Sequence, residues 1–175
     1  MTVDDVNCIR SRGFKSIIAA IMLVMSWFAP IAAEPYSDVW QAAAEAMKRD
    51  EYATAYELFH SLAEQGYPEA QFQLGFLYRT GWGGHRDDEE AYKWFHRAAD
   101  QGHTYAQANL GFLYRDGEGV QQDYVRAYMW FSLALSSSEK PLSYLAEHRD
   151  NVVKKITAAK FAEAQKLARE WKPRQ

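Results

Sequence analysis

Two histidines each stand four residues ahead of a carboxylate, His60 with Glu64 and His96 with Asp100. On a helix that spacing sets both side chains on one outward face, where they supply two metal ligands and lack a third. The pairs therefore read as surface contacts worth about 0.2–0.5 kcal/mol each, and no metal or cofactor is expected. Ser137, Ser138, Glu139 and Lys140 fit the serine-x-x-lysine spacing of acyl-transfer enzymes, but they follow a helix and have no companion motif. The stretches GWGGHRDD and GEGVQQD lack the lysine and hydroxyl of a phosphate loop. Tyr56, Tyr92, Tyr128, Trp94 and Trp130 have the surface to stack bases or sugars, yet they recur at one phase, which points them inward as shared core. The single cysteine, Cys8, lies in a segment expected to be removed, so no thiol chemistry is expected of the mature chain. No catalytic residue emerges, and the chain is expected not to be an enzyme.

The elements that position these residues come from a duplication. Leu74–Arg79 reads LGFLYR, and Leu110–Arg115 reads the same, so a slide of 36 residues superposes Glu51–Arg86 on Asp87–Gln122 with 17 identities. Small residues recur at fixed phase: Ala55, Ala91 and Ala127; Gly75 and Gly111; Gly81 and Gly117; Gly83 and Gly119. Glycine and alanine let helix backbones approach closely or let a turn take a positive φ. A helix–turn–helix unit of this size cannot bury its own apolar face, so the repeats must stack into a solenoid.

Taken in order, residues 1–15 carry Arg10, Arg12 and Lys15, and Ser16–Pro30 is apolar apart from two serines. The apolar run is shorter than the roughly 18–20 residues of a membrane span and suits a signal core, with cleavage after Ala33; retention as an anchor is the alternative. Residues 34–50 offer a capping helix from Ser37 with Val39, Trp40, Ala43 and Met47 at helical spacing. Repeat 1 (51–86) predicts helices over 52–65 and from Pro68 to about Arg79. Repeat 2 (87–122) predicts a first helix from Asp88 and a second over about 104–115, with Val120 packing back on the unit. From Asp123 a third repeat keeps Ala127, Tyr128, Trp130, Phe131 and Ala134 in register and dissolves after Leu135. Pro141 can start another helix to about Ile156, and Thr157 can cap a last one with Phe161, Ala164, Leu167, Ala168 and Trp171 on its apolar side.

Charge is uneven. Residues 34–123 hold 16 acidic and 7 basic side chains, whereas 124–175 hold 5 acidic and 10 basic. The net charge of −3 argues against nucleic acid as partner, and the reversal along the chain allows one end to steer a charged partner.

The runs AYKWF (91–95), AADQG (98–102), AQANLGFLY (106–114) and GEGVQQD (117–123) resemble the bacterial Sel1-like repeat. The resemblance covers Glu51 to about Leu135, and the segment from Ala127 is similar to the last repeat of secreted members. It implies an all-α fold, an α/α solenoid related to tetratricopeptide proteins with a right-handed superhelix, acting as a scaffold. The 81–86 loop departs from the pattern, with Trp82 and Gly84 where Glu118 and Val120 stand in the next copy. Some relatives are stapled by disulfides and have been discussed as penicillin-binding hydrolases; this chain lacks the cysteines, and no catalytic residue carries over.

In a solenoid the core repeats while the outer positions are free to vary. The varying outward positions of the first helices, Glu57, His60, Ser61, Lys93, His96, Arg97, Met129 and Ser132, with Leu133 beside them, are therefore the expected groove for a protein or peptide partner. The expectation is a non-enzymatic adaptor, periplasmic or secreted, which touches a membrane only if the leader is kept; a hydrolase or binding protein acting on cell-wall material is the alternative. Nothing in the sequence sets an oligomeric state.

Overall fold

The computed structural model describes residues 35–138 and 142–174; the expected leader (1–33), the Glu139–Lys140 half of the serine-x-x-lysine spacing and Pro141 lie outside them. The described residues from Val39 onward form one compact unit, and of those before it only 35–38, the first turn of one helix, are described. Among the described residues there are eight helices and no strand: α1 (Pro35–Lys48), α2 (Tyr52–Glu64), α3 (Pro68–Thr80), α4 (Asp88–Asp100), α5 (Thr104–Asp116), α6 (Tyr124–Ser137), α7 (Ser143–Val153) and α8 (Ala158–Glu170).

Local chemistry sets these boundaries. The Asp87 carboxylate accepts the amides of Glu89 and Glu90, and the Asp123 carboxylate those of Val125 and Arg126, so each aspartate satisfies two orphan donors of the helix it opens. Pro68 fills the first turn of α3, and Gly81 and Gly117 close α3 and α5 in the left-handed conformation. One start differs from expectation. Helix α1 is already helical at Pro35, the first described residue, so Ser37 lies inside the helix with its hydroxyl on the Asp38 carboxylate (3.2 Å) rather than capping it.

Helix α5 lacks the proline that opens α3 and uses His103 instead, whose Nδ1 accepts the Ala106 amide at 3.1 Å. The ring stacks on Phe72 with 4.7 Å between centroids. Burial holds the imidazole below its ordinary pKa, with Glu69 offsetting part of the effect, and the neutral ring is also the form that can accept the cap bond. The unfolded chain therefore takes up this proton first as pH falls below about 6.5, so the contribution is present above that pH and is lost below it. We expect His103→Asn, which keeps a cap acceptor, to lose less stability than the wild type between pH 7.5 and pH 5.5. Thermal melts at the two pH values check this, and equal losses would refute it.

Packing repeats with the sequence. Phe59, Phe95 and Phe131 occupy one phase and are at most 1% exposed. Phe95 of α4 lies on Gly75 of α3, where an added methyl would come within 2.8 Å of the ring, and Phe131 of α6 lies still closer on Gly111 of α5. Phe59 instead meets the edge of Trp40 from α1, at 5.3 Å, so the N-terminal helix supplies the cover that a preceding repeat would give. The core runs on through Leu110, Leu113, Trp130 and Ala134 to Leu145 and Val152 of α7, and Val120 packs back against it as expected.

Glu118 is not a bland surface residue. Its carboxylate takes Arg79 at 3.2 Å and Arg86 at 3.3 Å, tying the loop of the second repeat to the first. Arg79 also donates to Asn109 Oδ1 at 2.8 Å. The LGFLYR arginine thus works across a repeat boundary.

Candidate functional site

The face formed by α2, α4 and α6 carries the residues expected to meet a partner, and the structure divides them into two groups. Glu57, Ser61, Lys93 and Arg97 are exposed. Lys93 pairs with Glu90 at 2.6 Å. The Arg97 guanidinium lies 4.4 Å above the Trp94 ring and 3.6 Å from the Glu64 carboxylate.

The second group is half-buried, which corrects the outward reading. His60 sits against Tyr56 and Trp94, with centroids 5.8 and 6.0 Å away, and His96 sits against Tyr92 and Trp130 at 5.6 and 5.8 Å. The histidines are thus rungs in an aromatic row, because their helix phase lies at the edge of the buried stripe and each next repeat sets a tryptophan over it. His96 pairs with Asp100 at 3.4 Å as the spacing predicts, whereas Glu64 reaches forward to Arg97. Leu133 is buried, and the Ser132 hydroxyl is enclosed with no hydrogen-bond partner among the described residues. Both α7 and α8 pack on α6, and Leu133 belongs to the core cluster that includes Leu145 and Val152 of α7.

Beneath the row the tyrosines pair. Tyr56 and Tyr78 hydroxyls are 2.7 Å apart, and Tyr92 and Tyr114 hydroxyls 2.9 Å. Burial, followed by the Tyr56 hydrogen bond, raises the Tyr78 pKa, and burial followed by the Tyr92 bond does the same for Tyr114, so both stay as phenols. The third repeat has Asp150 where a mate for Tyr128 would stand, and Phe161 of α8 covers Tyr128 edge-on at 5.2 Å.

Between α4, α6 and α8 opens a cleft of about 850 Å³. Its lining includes His96 and Met129 from the expected groove and Trp130 from the core, with Lys155, Lys160 and Leu167 from the C-terminal end. Tyr92, Tyr124 and Arg126 add aromatic and basic side chains to the wall, and Asp123 and Glu163 add two carboxylates. Among the described residues no three of His, Cys, Asp and Glu come together to hold a metal ion, and no helix is long and apolar enough to cross a membrane.

The sequence reading missed the tail. After α8 the chain runs on through Trp171 to Arg174 and reaches the end of α4: the Arg174 amide donates to the Asp100 carbonyl at 2.7 Å, and its guanidinium lies 3.2 Å from the Asp100 carboxylate. Its signal was faint, a lone Leu133 where the preceding repeat has Arg97.

The Sel1 repeat model matches residues 42–67, 68–103 and 104–138. The chain belongs to the Sel1 repeat family. Sel1 repeat proteins are generally scaffolds for protein interaction and typically non-catalytic. The family frame cuts the same 36-residue period at the α3 and α5 starts rather than at Glu51 and Asp87. Among solved structures, the chain is similar to a protective antigen present in uropathogenic Escherichia coli strains displaying an SLR fold, with 31% identity and a TM-score of 0.72 over 79% of this chain and 30% of that one. A Sel1 repeat protein from Oxalobacter formigenes is 28% identical with a TM-score of 0.58, over 66% of this chain and 87% of that one. The chain therefore spans less than a third of the length of the antigen it matches. Comparison with curated proteins gives no match.

Proposed function

We propose that this chain is a non-catalytic adaptor of the cell envelope, which binds a protein or peptide partner on the face of α2, α4 and α6. The observation that carries the reading is the contrast between a core that repeats, with Phe59, Phe95 and Phe131 in one place, and exposed positions above it that change charge from Glu57 and Ser61 to Lys93 and Arg97. Such variation lets one scaffold specify one partner. Export is supported by the basic, then apolar leader with small residues before Glu34.

The test is capture from an envelope extract at two salt concentrations, with wild type and a Lys93→Ala, Arg97→Ala double variant. His96 is left in place because its ring is packed between Tyr92 and Trp130. The variant is expected to fold normally, to capture several-fold less partner and to show a shallower salt dependence, since exposed charges at an interface act chiefly on encounter and specificity. Undiminished capture by the folded variant would move the site to the cleft against α8. Mass spectrometry of the envelope-located protein is expected to find Glu34 at its N-terminus, and a retained 1–33 segment would replace cleavage with anchoring.

A further inference from the structure

The two full repeats and the third present the same small site twice, and the two copies are filled differently. In the first copy His60 abuts Trp94, Glu64 ends helix α2, and Arg97 serves both by lying over the tryptophan ring and pairing with the carboxylate. In the second copy His96 abuts Trp130 and Asp100 ends helix α4, but position 133 is a buried leucine and supplies no cation. The tail takes over that role. Trp171 meets the Trp130 ring edge-on at 6.0 Å, Pro173 lies over Gly102, and Arg174 holds Asp100 through its main-chain amide and its guanidinium.

Each element of this site asks for a particular group. The Asp100 carbonyl is one of the unpaired acceptors at a helix end and takes an N–H. The Asp100 carboxylate is 16% exposed, and among the described residues it would keep His96 at 3.4 Å as its one ion-pair partner without Arg174, so it calls for a cation. Trp130 is 3% exposed with the tail in place and calls for an apolar or aromatic cover. Trp171 is partly buried against the core, and the tail beyond it is held lightly. The Arg174 side chain is 80% exposed, and residues 172–174 lie on the surface. An exposed ion pair and a single main-chain hydrogen bond at the surface open at little cost.

We propose that Trp171–Arg174 is a replaceable occupant of this site, and that the partner taken there is an extended segment carrying an aromatic side chain followed three residues later by arginine. This rests on the adaptor reading of the same face and names the chemistry of its partner. A tethered tail competes at an effective concentration in the millimolar range, so its release is expected to strengthen binding of such a segment about tenfold or more.

The test uses a fluorescent peptide with the sequence of residues 169–175, titrated against the full chain and against a chain ending at Glu170, with circular dichroism as the check on folding. Saturable binding to the shortened chain, at least about tenfold weaker binding to the full chain, and loss on Asp100→Asn or on Arg174→Glu in the peptide are the expected results. A second peptide, Phe-Ala-Ala-Arg, should also bind, and Phe-Ala-Ala-Glu should not, which separates the chemical class from the tail's own sequence. A folded shortened chain that binds none of these peptides overturns the proposal. Should shortening unfold the chain, a full chain with Pro173→Gly and Arg174→Glu replaces it, and binding equal to wild type overturns the proposal as well. Failure of the peptides while Lys93→Ala, Arg97→Ala still lowers partner capture would reject this chemistry and leave the adaptor reading standing.

Discussion

Replacing Gly111 with leucine is expected to cost about 3 kcal/mol or more and to lower the melting temperature by roughly 10 °C. Gly111 lies mid-way along α5, where the Phe131 ring of α6 rests directly on its backbone, and a single added methyl would already overlap that ring. Phe131 has no room to withdraw, being fully buried among Leu110, Trp130 and Leu145, with Phe112 and His148 rings at 5.1 and 6.4 Å. The helices must then separate, and close-packed interiors resist that. Glu57→Ala is the suitable control, since Glu57 is exposed on α2, and a change within about 0.5 kcal/mol is expected there. Glu118 would be a poor control, because it bridges Arg79 and Arg86. Chemical denaturation of the three chains measures the difference, and a Gly111→Leu midpoint equal to that of Glu57→Ala would refute the crossing.

The repeat architecture was legible because core packing leaves a periodic trace. Gly75 and Gly111 share a phase for one reason: a phenylalanine from the next helix sits on each. The expected face was legible only in part, since residues at the margin of a helix stripe are assigned by what the next element does. His60 and His96 lie at that margin, and tryptophans one repeat further on draw them into the aromatic row. Leu133 and Ser132 were read as outward because nothing in the repeat announces that α7 and α8 both pack on α6. The tail was the least legible, as its docking joins Arg174 to Asp100 through main-chain and side-chain contacts that no periodic pattern encodes. Sequence repeats report what every unit does alike. They are silent on the terminal unit, whose neighbour is missing and whose exposed face is closed by other means.

Gly119→Ala is expected to be as damaging as a core lesion, although it adds one methyl group to a surface loop. Gly119 has φ +65°, and a Cβ there would run into the backbone carbonyl of Asp88 in the first turn of α4. Gly83 stands in the same relation to Tyr52 at the start of α2, with the carbonyl oxygen 2.7 Å from an added methyl. The loop thus folds back onto the helix that opens its own repeat, which explains why the second glycine of each G-x-G recurs. Gly66 separates the two costs, since its φ is +94° yet a methyl there meets nothing within 4 Å. Gly66→Ala should therefore lose only the left-handed conformational cost, about 1–2 kcal/mol. Gly119→Ala should lose that and the close approach too, about 3 kcal/mol or more, because backbone cannot move aside as a side chain end can. Equal losses for the two variants would mean that the loop lifts off α4 freely. A larger loss at Gly119 would mark the loop as a clamp on each helical hairpin, as firm as the glycine–phenylalanine crossings between hairpins.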